Sequence, residues 1–228
     1  MHLLLTDRIT CPRCGPEFGL ILLAHEVRDR RVIRGNFGCA NCRETYPIEG
    51  GFGDLRAPPR TPLQELSVAE KGPVMSALEE GGEAALRLAA LMGVTGGPGT
   101  LLLTGAAAAH AGDVSRLIGG IEAVAVDPSL RSEEPQEGVS RMVSRPGLPF
   151  FSGTFKGAVV SGEVGRDWVS EAARVVAPNC RVVVLDAPEG ARGWLESGGL
   201  RPILEEGGIL VALREGGQRV PPVPLRRP

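Results

Sequence analysis

Residues 11–42 read CPRCGPEFGLILLAHEVRDRRVIRGNFGCANC. Cys11 and Cys14 form one Cys-x-x-Cys turn, and Cys39 and Cys42 form a second. Zinc favours four ligands in a tetrahedron. One such turn brings two thiolates to an ion, so two turns complete the shell. A redox dithiol would need only one pair, normally at the start of a helix. The pattern therefore predicts a structural metal site, assigned as zinc, with no coordination position left open for chemistry. Between the turns, Leu20–Glu26 (LILLAHE) and Arg31–Phe37 read as short strands joined by a polar turn at Asp29-Arg30-Arg31. Strands alternating with knuckles describe a zinc ribbon. A unit of about 55 residues buries too little apolar surface to be comfortable alone, so the role expected of the metal is folding.

The whole chain, at 228 residues, has room for this unit and one ordinary α/β domain. Hydrophobic residues make up 43% and charged residues 23%, which predicts a packed core and excludes global disorder. Aromatic residues are scarce, so that core must be built mainly of Leu, Val and Ala. Cys180 stands apart from the two pairs, just before an apolar segment, and reads as a core or strand-edge thiol. Asp7 and Arg8 interrupt the short apolar start, and no apolar run approaches a membrane span. With thiolate metal ligands, this fits a soluble cytoplasmic protein with no membrane partner. The formal net charge is -2, with a mildly basic front and a mildly acidic remainder. Direct nucleic-acid binding is weakly supported, and Arg28, Arg30, Arg31 and Arg34 read as a solvated hairpin surface.

Residues 57–62 (APPRTP) break regular structure, residues 63–72 read as the start of a helix, and Gly72-Pro73 reads as its interruption. Residues 83–92 have helical periodicity. From there the pattern becomes alternating strand and helix. Thr100–Thr104, Ile121–Val126, Ser140–Ser144, Gly157–Ser161 and Arg181–Leu185 are the strands, Ser140–Ser144 being weak. Ala106–Leu117, Asp167–Val176 and Glu189–Ser197 are the helices, with Ala177-Pro178-Asn179 as a stop. Leu200–Glu206 and Ile209–Arg214 form a hairpin. The fold class is α/β: a small N-terminal zinc ribbon, then a Rossmann-like mixed sheet with helices on both faces and a C-terminal antiparallel hairpin. The units are 1–56 (zinc ribbon), 57–82 (linker and lead-in helix), 83–215 (sheet domain) and 216–228 (Pro/Arg-rich tail). Ligands in such sheets sit at the carboxyl ends of the strands. Those ends are Gly105, Asp127, Ser144, Ser161–Glu163 and Asp186.

Two stretches carry a family resemblance. LLLTDRITCPRCG and CANCRETYPIEGGFGDLR make residues 11–55 resemble the small zinc domain of the activators of tRNA, rRNA and translation-factor methyltransferases. Residues 83–214 are similar to class I S-adenosylmethionine-dependent methyltransferases, best over LPFFSGTFKGAVVSGEVGRDWVSEAARVVAPNCRVVVLDAP, residues 148–188. The resemblance implies that Asp127 binds the ribose of S-adenosylmethionine and that Gly105 lines the cofactor turn. The chain departs from the family pattern in four places. Gly105 is followed by four alanines and His110, whose methyl groups are expected to narrow the cofactor's approach. No acidic residue stands near Ser144, where the family meets the adenine. Lys156 replaces the aspartate expected after Phe155, and Ser161-Gly162-Glu163 replaces the amino-methyltransferase motif.

Two functions stay open. One is methyl transfer to an RNA or protein substrate by an enzyme with its activator fused in front, with Glu163 on the substrate side and no catalytic base identified. The other is a non-catalytic module, a pseudo-methyltransferase that docks onto a larger protein or ribonucleoprotein. The resemblance to the activators implies that the zinc domain packs against the sheet domain; the residues alone leave open that it swings on the proline linker. His110 reads as a packed or solvent-facing histidine, and Asp186 as a loop cap.

Overall fold

A computed structural model describes residues 1–66, 70–162 and 165–216. Glu163 and the tail beyond Gly216 lie outside the described residues.

The front of the chain forms α1 (Leu3–Thr6) and a small antiparallel pair, β1 (Thr10–Cys11) and β2 (Gly15–Gly19). An antiparallel meander follows: β3 (Ile21–Arg28), β4 (Arg31–Gly38), β5 (Thr45–Glu49) and β6 (Phe52–Asp54). Gly50 and Gly51, at φ 56° and 74°, close the tight turn between Glu49 and Phe52. Both positions need positive φ in a two-residue hairpin whose twist matches its strands, and glycine adopts it without steric cost.

The larger unit begins with α2 (Pro73–Glu79) and α3 (Ala84–Met92). It continues through β7 (Gly99–Thr104), α4 (Ala111–Leu117), β8 (Ile121–Val126), β9 (Val139–Val143) and β10 (Phe155–Val160). It ends with α5 (Arg166–Val175), β11 (Val176–Leu185), α6 (Ala191–Ser197) and the hairpin β12 (Leu200–Glu206) and β13 (Ile209–Arg214).

The spatial order is β12-β13-β11-β10-β7-β8-β9-β6-β5-β4-β3. Strands β11, β10, β7, β8 and β9 are parallel, and β13 runs antiparallel between β11 and β12. Chain order reverses between β7 and β10, which is the topological switch of a doubly wound sheet. The sheet does not stop at β9. Strand β6 pairs parallel to it, Phe52 against Arg141, Gly53 against Met142 and Asp54 against Val143. The metal-binding front is thereby welded into the same eleven-stranded sheet.

Each face of the sheet has its own apolar layer. On one, α5 and α6 bury Val169, Ala172 and Leu195, and the layer runs on into Leu5, Phe37, Tyr46 and Ile48 of the front. On the other, Met75 of α2, Leu88 and Met92 of α3 and Val114 of α4 cover Leu101, Leu103, Ala123 and Val183. No helix among the described residues is long and apolar enough to cross a membrane.

Two local expectations differ from the structure, and one weak signal is a strand as expected. Among the described residues of 63–72 there is only a short 3-10 turn, at Leu63–Glu65; the helix starts at Pro73, with Gly72 as its N-cap. Proline suits the first helical turn because that N–H would be unpaired anyway. Gly72 fits because its Cα abuts Asp186, where a Cβ would lie 2.0 Å from Oδ2. Ala177-Pro178-Asn179 is no loop but an irregularity inside β11: Phe155 pairs with Val176, yet Gly157 pairs with Arg181, and Asn179 turns at φ 62°. The weak strand at Ser140–Ser144 is fully buried as β9. It lies between β8 and β6, and its polar residues are satisfied: Ser140 Oγ donates to Glu122, and Arg141 donates to the carbonyls of Leu130 and Gly50.

Candidate metal centre and cofactor cavity

The four cysteines converge, with all sulfurs within 4.8 Å of one another. Cys11 Sγ lies 3.7 Å from Cys42 Sγ, and Cys14 Sγ lies 3.8 Å from Cys39 Sγ. Tetrahedral thiolates at about 2.3 Å from zinc would be about 3.8 Å apart, so the cage has the size of that ion's shell. The two knuckles alternate around it: each close pair joins one sulfur from each turn. The environment favours charge on some sulfurs and opposes it on others. Burial would raise the Cys11 thiol, but hydrogen bonds from the Tyr46 hydroxyl and the Cys14 and Arg13 amides bring it down to about 7. The Glu44 amide lowers Cys42, but burial and the three neighbouring sulfurs outweigh it and push this thiol up to about 12. Four thiolates packed this closely need a cation to ionise together. Around the cage, Asn41 Nδ2 donates to Cys14 Sγ at 3.3 Å and the Tyr46 hydroxyl lies 3.4 Å from Cys11 Sγ. The Arg60 guanidinium sits 5.0 Å above the Tyr46 ring. These contacts orient the ligands; Cys11 and Cys39 are buried, while Cys14 and Cys42 stay partly exposed.

A second site lies at the carboxyl ends of the parallel strands. A cavity of about 610 Å³ runs past Asp186 after β11, Ser161 after β10, Gly105 after β7, Asp127 after β8, Ser144 after β9 and Arg56 after β6. Six neighbouring strand ends span about 24 Å at ~4.8 Å per strand. Gly105 and Asp127, singled out from sequence as cofactor residues, therefore share one wall. Ser144, Ser161 and Asp186, named with them as strand ends, also line it. Glu163 lies outside the described residues, next to Gly162 of the lining. A larger cavity of about 990 Å³ lies at the other, amino ends of the strands and holds none of these residues.

Gly105 adopts φ 61°, which favours glycine, and starts a 3-10 turn through His110. The alanine methyls do not narrow the cavity as expected. Ala107 and Ala108 are buried in the apolar layer of α2, α3 and α4, and only Thr104 and Gly105 of this segment line the opening. Ser161 fixes the turn by donating to the Thr104 carbonyl at 2.6 Å and accepting the Ala107 N–H at 2.9 Å. Asp127 is buried, and its Oδ1 accepts from the Ser129 amide at 2.8 Å and hydroxyl at 2.6 Å. Among the described residues its Oδ2 has no donor, so one carboxylate oxygen is held rigidly and the other is available to a ligand hydroxyl.

Between Arg56 beside β9 and Gly72 at Asp186 beyond β11, within the unit read from sequence as linker and lead-in helix (57–82), the described residues Leu66, Glu70, Lys71 and Gly72 line the cavity. His110 is not on this wall; its Nε2 lies 2.8 Å from Glu79 Oε1, and Lys71 contacts the same carboxylate. Asp186 caps α2, its Oδ1 accepting the Val74 N–H at 3.0 Å, while its buried Oδ2 has no partner among the described residues. Sequence reasoning missed Arg56 as a wall residue. Its only sequence signal was the GFGDLR motif that ends the front unit.

No family model matches this chain, and no curated protein matches it. Among solved structures it is similar to the complex between the Haloferax volcanii Trm112 methyltransferase activator and a methyltransferase. That match has 13% identity and a TM-score of 0.45, over 58% of this chain and 89% of that one. It is also similar to Burkholderia thailandensis 1,6-didemethyltoxoflavin-N1-methyltransferase, at 17% identity and TM-score 0.43, over 62% and 80% of the two chains. A third match is precorrin-6y C5,15-methyltransferase from Geobacter metallireducens, at 13% identity and TM-score 0.45, over 68% and 100%. The fold assignment rests on the strand order given above, which is Rossmann-like whatever the relatives.

Proposed function

We propose that this chain binds S-adenosylmethionine along the carboxyl edge of its sheet and transfers a methyl group to an RNA or protein acceptor. The front unit, residues 1–56, acts as a built-in activator organised by zinc on Cys11, Cys14, Cys39 and Cys42. The observation that carries the reading is the shared cavity wall of Gly105 and Asp127, with the alanine methyls turned away from it.

The residues present suit such a cofactor. Asp127 Oδ2 accepts from ribose hydroxyls while Ser129 holds Oδ1. Gly105 lets the ligand approach the backbone where a side chain would intrude. Val126 and Val143 offer apolar surface to a base. When bound, the cofactor supplies an electrophilic methyl on a sulfonium; this chain supplies orientation and a shielded wall. Trp168, Ser161 and Asp186 line the opposite end, which is the side left for the acceptor.

A second reading, the non-catalytic docking module, is favoured by how the polar groups of the wall are spent. Arg56 is paired with Asp54, Lys71 with Glu79, and Ser161 with the backbone of its own turn. Calorimetric titration with S-adenosylmethionine and S-adenosylhomocysteine, repeated on Asp127→Ala, separates the two. Micromolar binding lost in the variant supports the enzyme. No binding at millimolar ligand supports the module.

A further inference from the structure

The cavity is chemically asymmetric about Asp127. Three carboxylates line it among the described residues: Glu70, Asp127 and Asp186. Asp186 lies at the β11 end. Glu70 lies toward the same end, because Gly72, two residues on, abuts Asp186 and two residues span at most about 7 Å. The other end, beyond Asp127, presents Ser144, Arg145 and Arg56. The nearest carboxylate there, Asp54, is fully engaged: it takes the Arg56 Nε at 2.8 Å and Nη2 at 2.7 Å, and the Arg56 amide at 3.3 Å. Arg56 is 2% exposed, and its Nη1 also donates to the Thr61 carbonyl at 2.8 Å. A guanidinium has five N–H groups, so two remain on Arg56 after these three bonds. Arg145 is exposed, with Nη2 on the Pro59 carbonyl at 3.1 Å. The Ser144 hydroxyl donates to the Arg145 carbonyl at 2.9 Å.

We infer that this end of the cavity reads the base of its ligand through hydrogen-bond acceptors, with Arg56 and Arg145 as specificity residues, and does not select for an exocyclic amine. The inference rests on the nucleoside reading proposed above. With the ribose on Asp127 and the rest of the cofactor toward Gly105, the base falls on Val126 and Val143, facing the two arginines. An arginine fork matches the O6 and N7 acceptors of a 6-oxopurine. A 6-amino group offers it a donor instead, and among the described residues no free carboxylate lines this end to accept that donor. Arg56 belongs to the front unit, so the metal-binding region of the chain contributes directly to the ligand wall.

The test compares S-adenosylhomocysteine with S-inosylhomocysteine, its 6-oxo counterpart, by calorimetry on the full-length, zinc-loaded chain. The expected result is that the 6-oxo ligand binds within threefold of the 6-amino ligand or more tightly. Arg145→Ala, an exposed change that leaves the fold intact, should weaken the 6-oxo ligand more than the 6-amino one. A preference of more than threefold for the 6-amino ligand in the unmodified protein overturns the inference while leaving the nucleoside reading standing. An equal effect of Arg145→Ala on both ligands removes Arg145 from the specificity set and likewise counts against it. Binding of neither ligand overturns the nucleoside reading, and this inference with it.

Discussion

Asp54 of β6 lies directly opposite Val143 of β9, and the next residue, Leu55, donates its N–H to the Val143 carbonyl at 2.9 Å. This parallel seam joins the metal-binding front and the Rossmann-like unit into a single sheet with a shared apolar layer. Such a construction should unfold cooperatively, as a whole. In urea, zinc release and the fluorescence of Trp168 and Trp194, both on the far helices, are expected to share a midpoint. Leu55→Ala, at a fully buried site, should cost about 2–5 kcal/mol and move both signals together. Two separated transitions would show that the seam is not a cooperative contact.

The sulfur cage makes a direct statement about metal content. Elemental analysis of the purified chain should give one zinc per molecule, and Cys39→Ala should lower that content and the thermal midpoint together. Thiolate ligands compete with protons, so binding releases protons and affinity falls as pH falls. Zinc release by a chromogenic chelator should therefore quicken on acidification. A chain that keeps its midpoint after complete metal removal would refute a folding role for the ion.

Some of this is legible in the residues and some is not. The Cys-x-x-Cys pairs, the strand–helix alternation and the terminal hairpin are all periodic or spaced features, and local physics writes those into sequence. The seam is not local. Phe52–Asp54 is only three residues long and ends a meander, and nothing in it specifies a parallel partner about ninety positions away. The same gap hides Arg56 and makes β9 look weak, because Ser140 and Arg141 are polar in sequence and become tolerable only once Glu122, Leu130 and Gly50 arrive from elsewhere. The alanines after Gly105 depart from expectation for a related reason. Sequence shows that methyl groups are present, while only packing shows that those of Ala107 and Ala108 are buried against the helices.

A second link between the two units is the ion pair of Arg31 on β4 with Glu122 on β8. It is bidentate, at 3.0 and 2.8 Å, with side chains 10% and 12% exposed. Arg31 also donates to the Val139 carbonyl, and Ser140 donates to Glu122, so every charge is paired and hydrogen-bonded. Removing one partner strands the other in a poorly solvated place, which typically costs about 3–5 kcal/mol. Arg31→Met and Glu122→Gln should each approach that loss, while the double variant should lose much less than their sum. Urea denaturation of the four proteins measures the coupling. Strict additivity would show that the pair is only adjacent, not interacting.

Glu79 gives the fold a defined acid sensitivity. Hydrogen bonds from Lys71 and then His110 hold its carboxyl below the ordinary value of 4.5. Between the folded and unfolded pKa values the unfolded chain binds more protons, so the contribution is complete above about 4.5 and is lost as pH falls through the lower folded value. These contacts tie the start of α4 and Lys71, just before α2, to the end of α2. Glu79→Gln should therefore be less stable than the parent at neutral pH. The gap should stay level down to about 4.5 and close on further acidification. Because the carboxylate is partly solvated, the gap should also shrink in high salt. Thermal midpoints of both proteins across pH 3–7, at two ionic strengths, test the account. A gap that persists unchanged at the acid end would show that the substitution acts through packing rather than through the charge on Glu79.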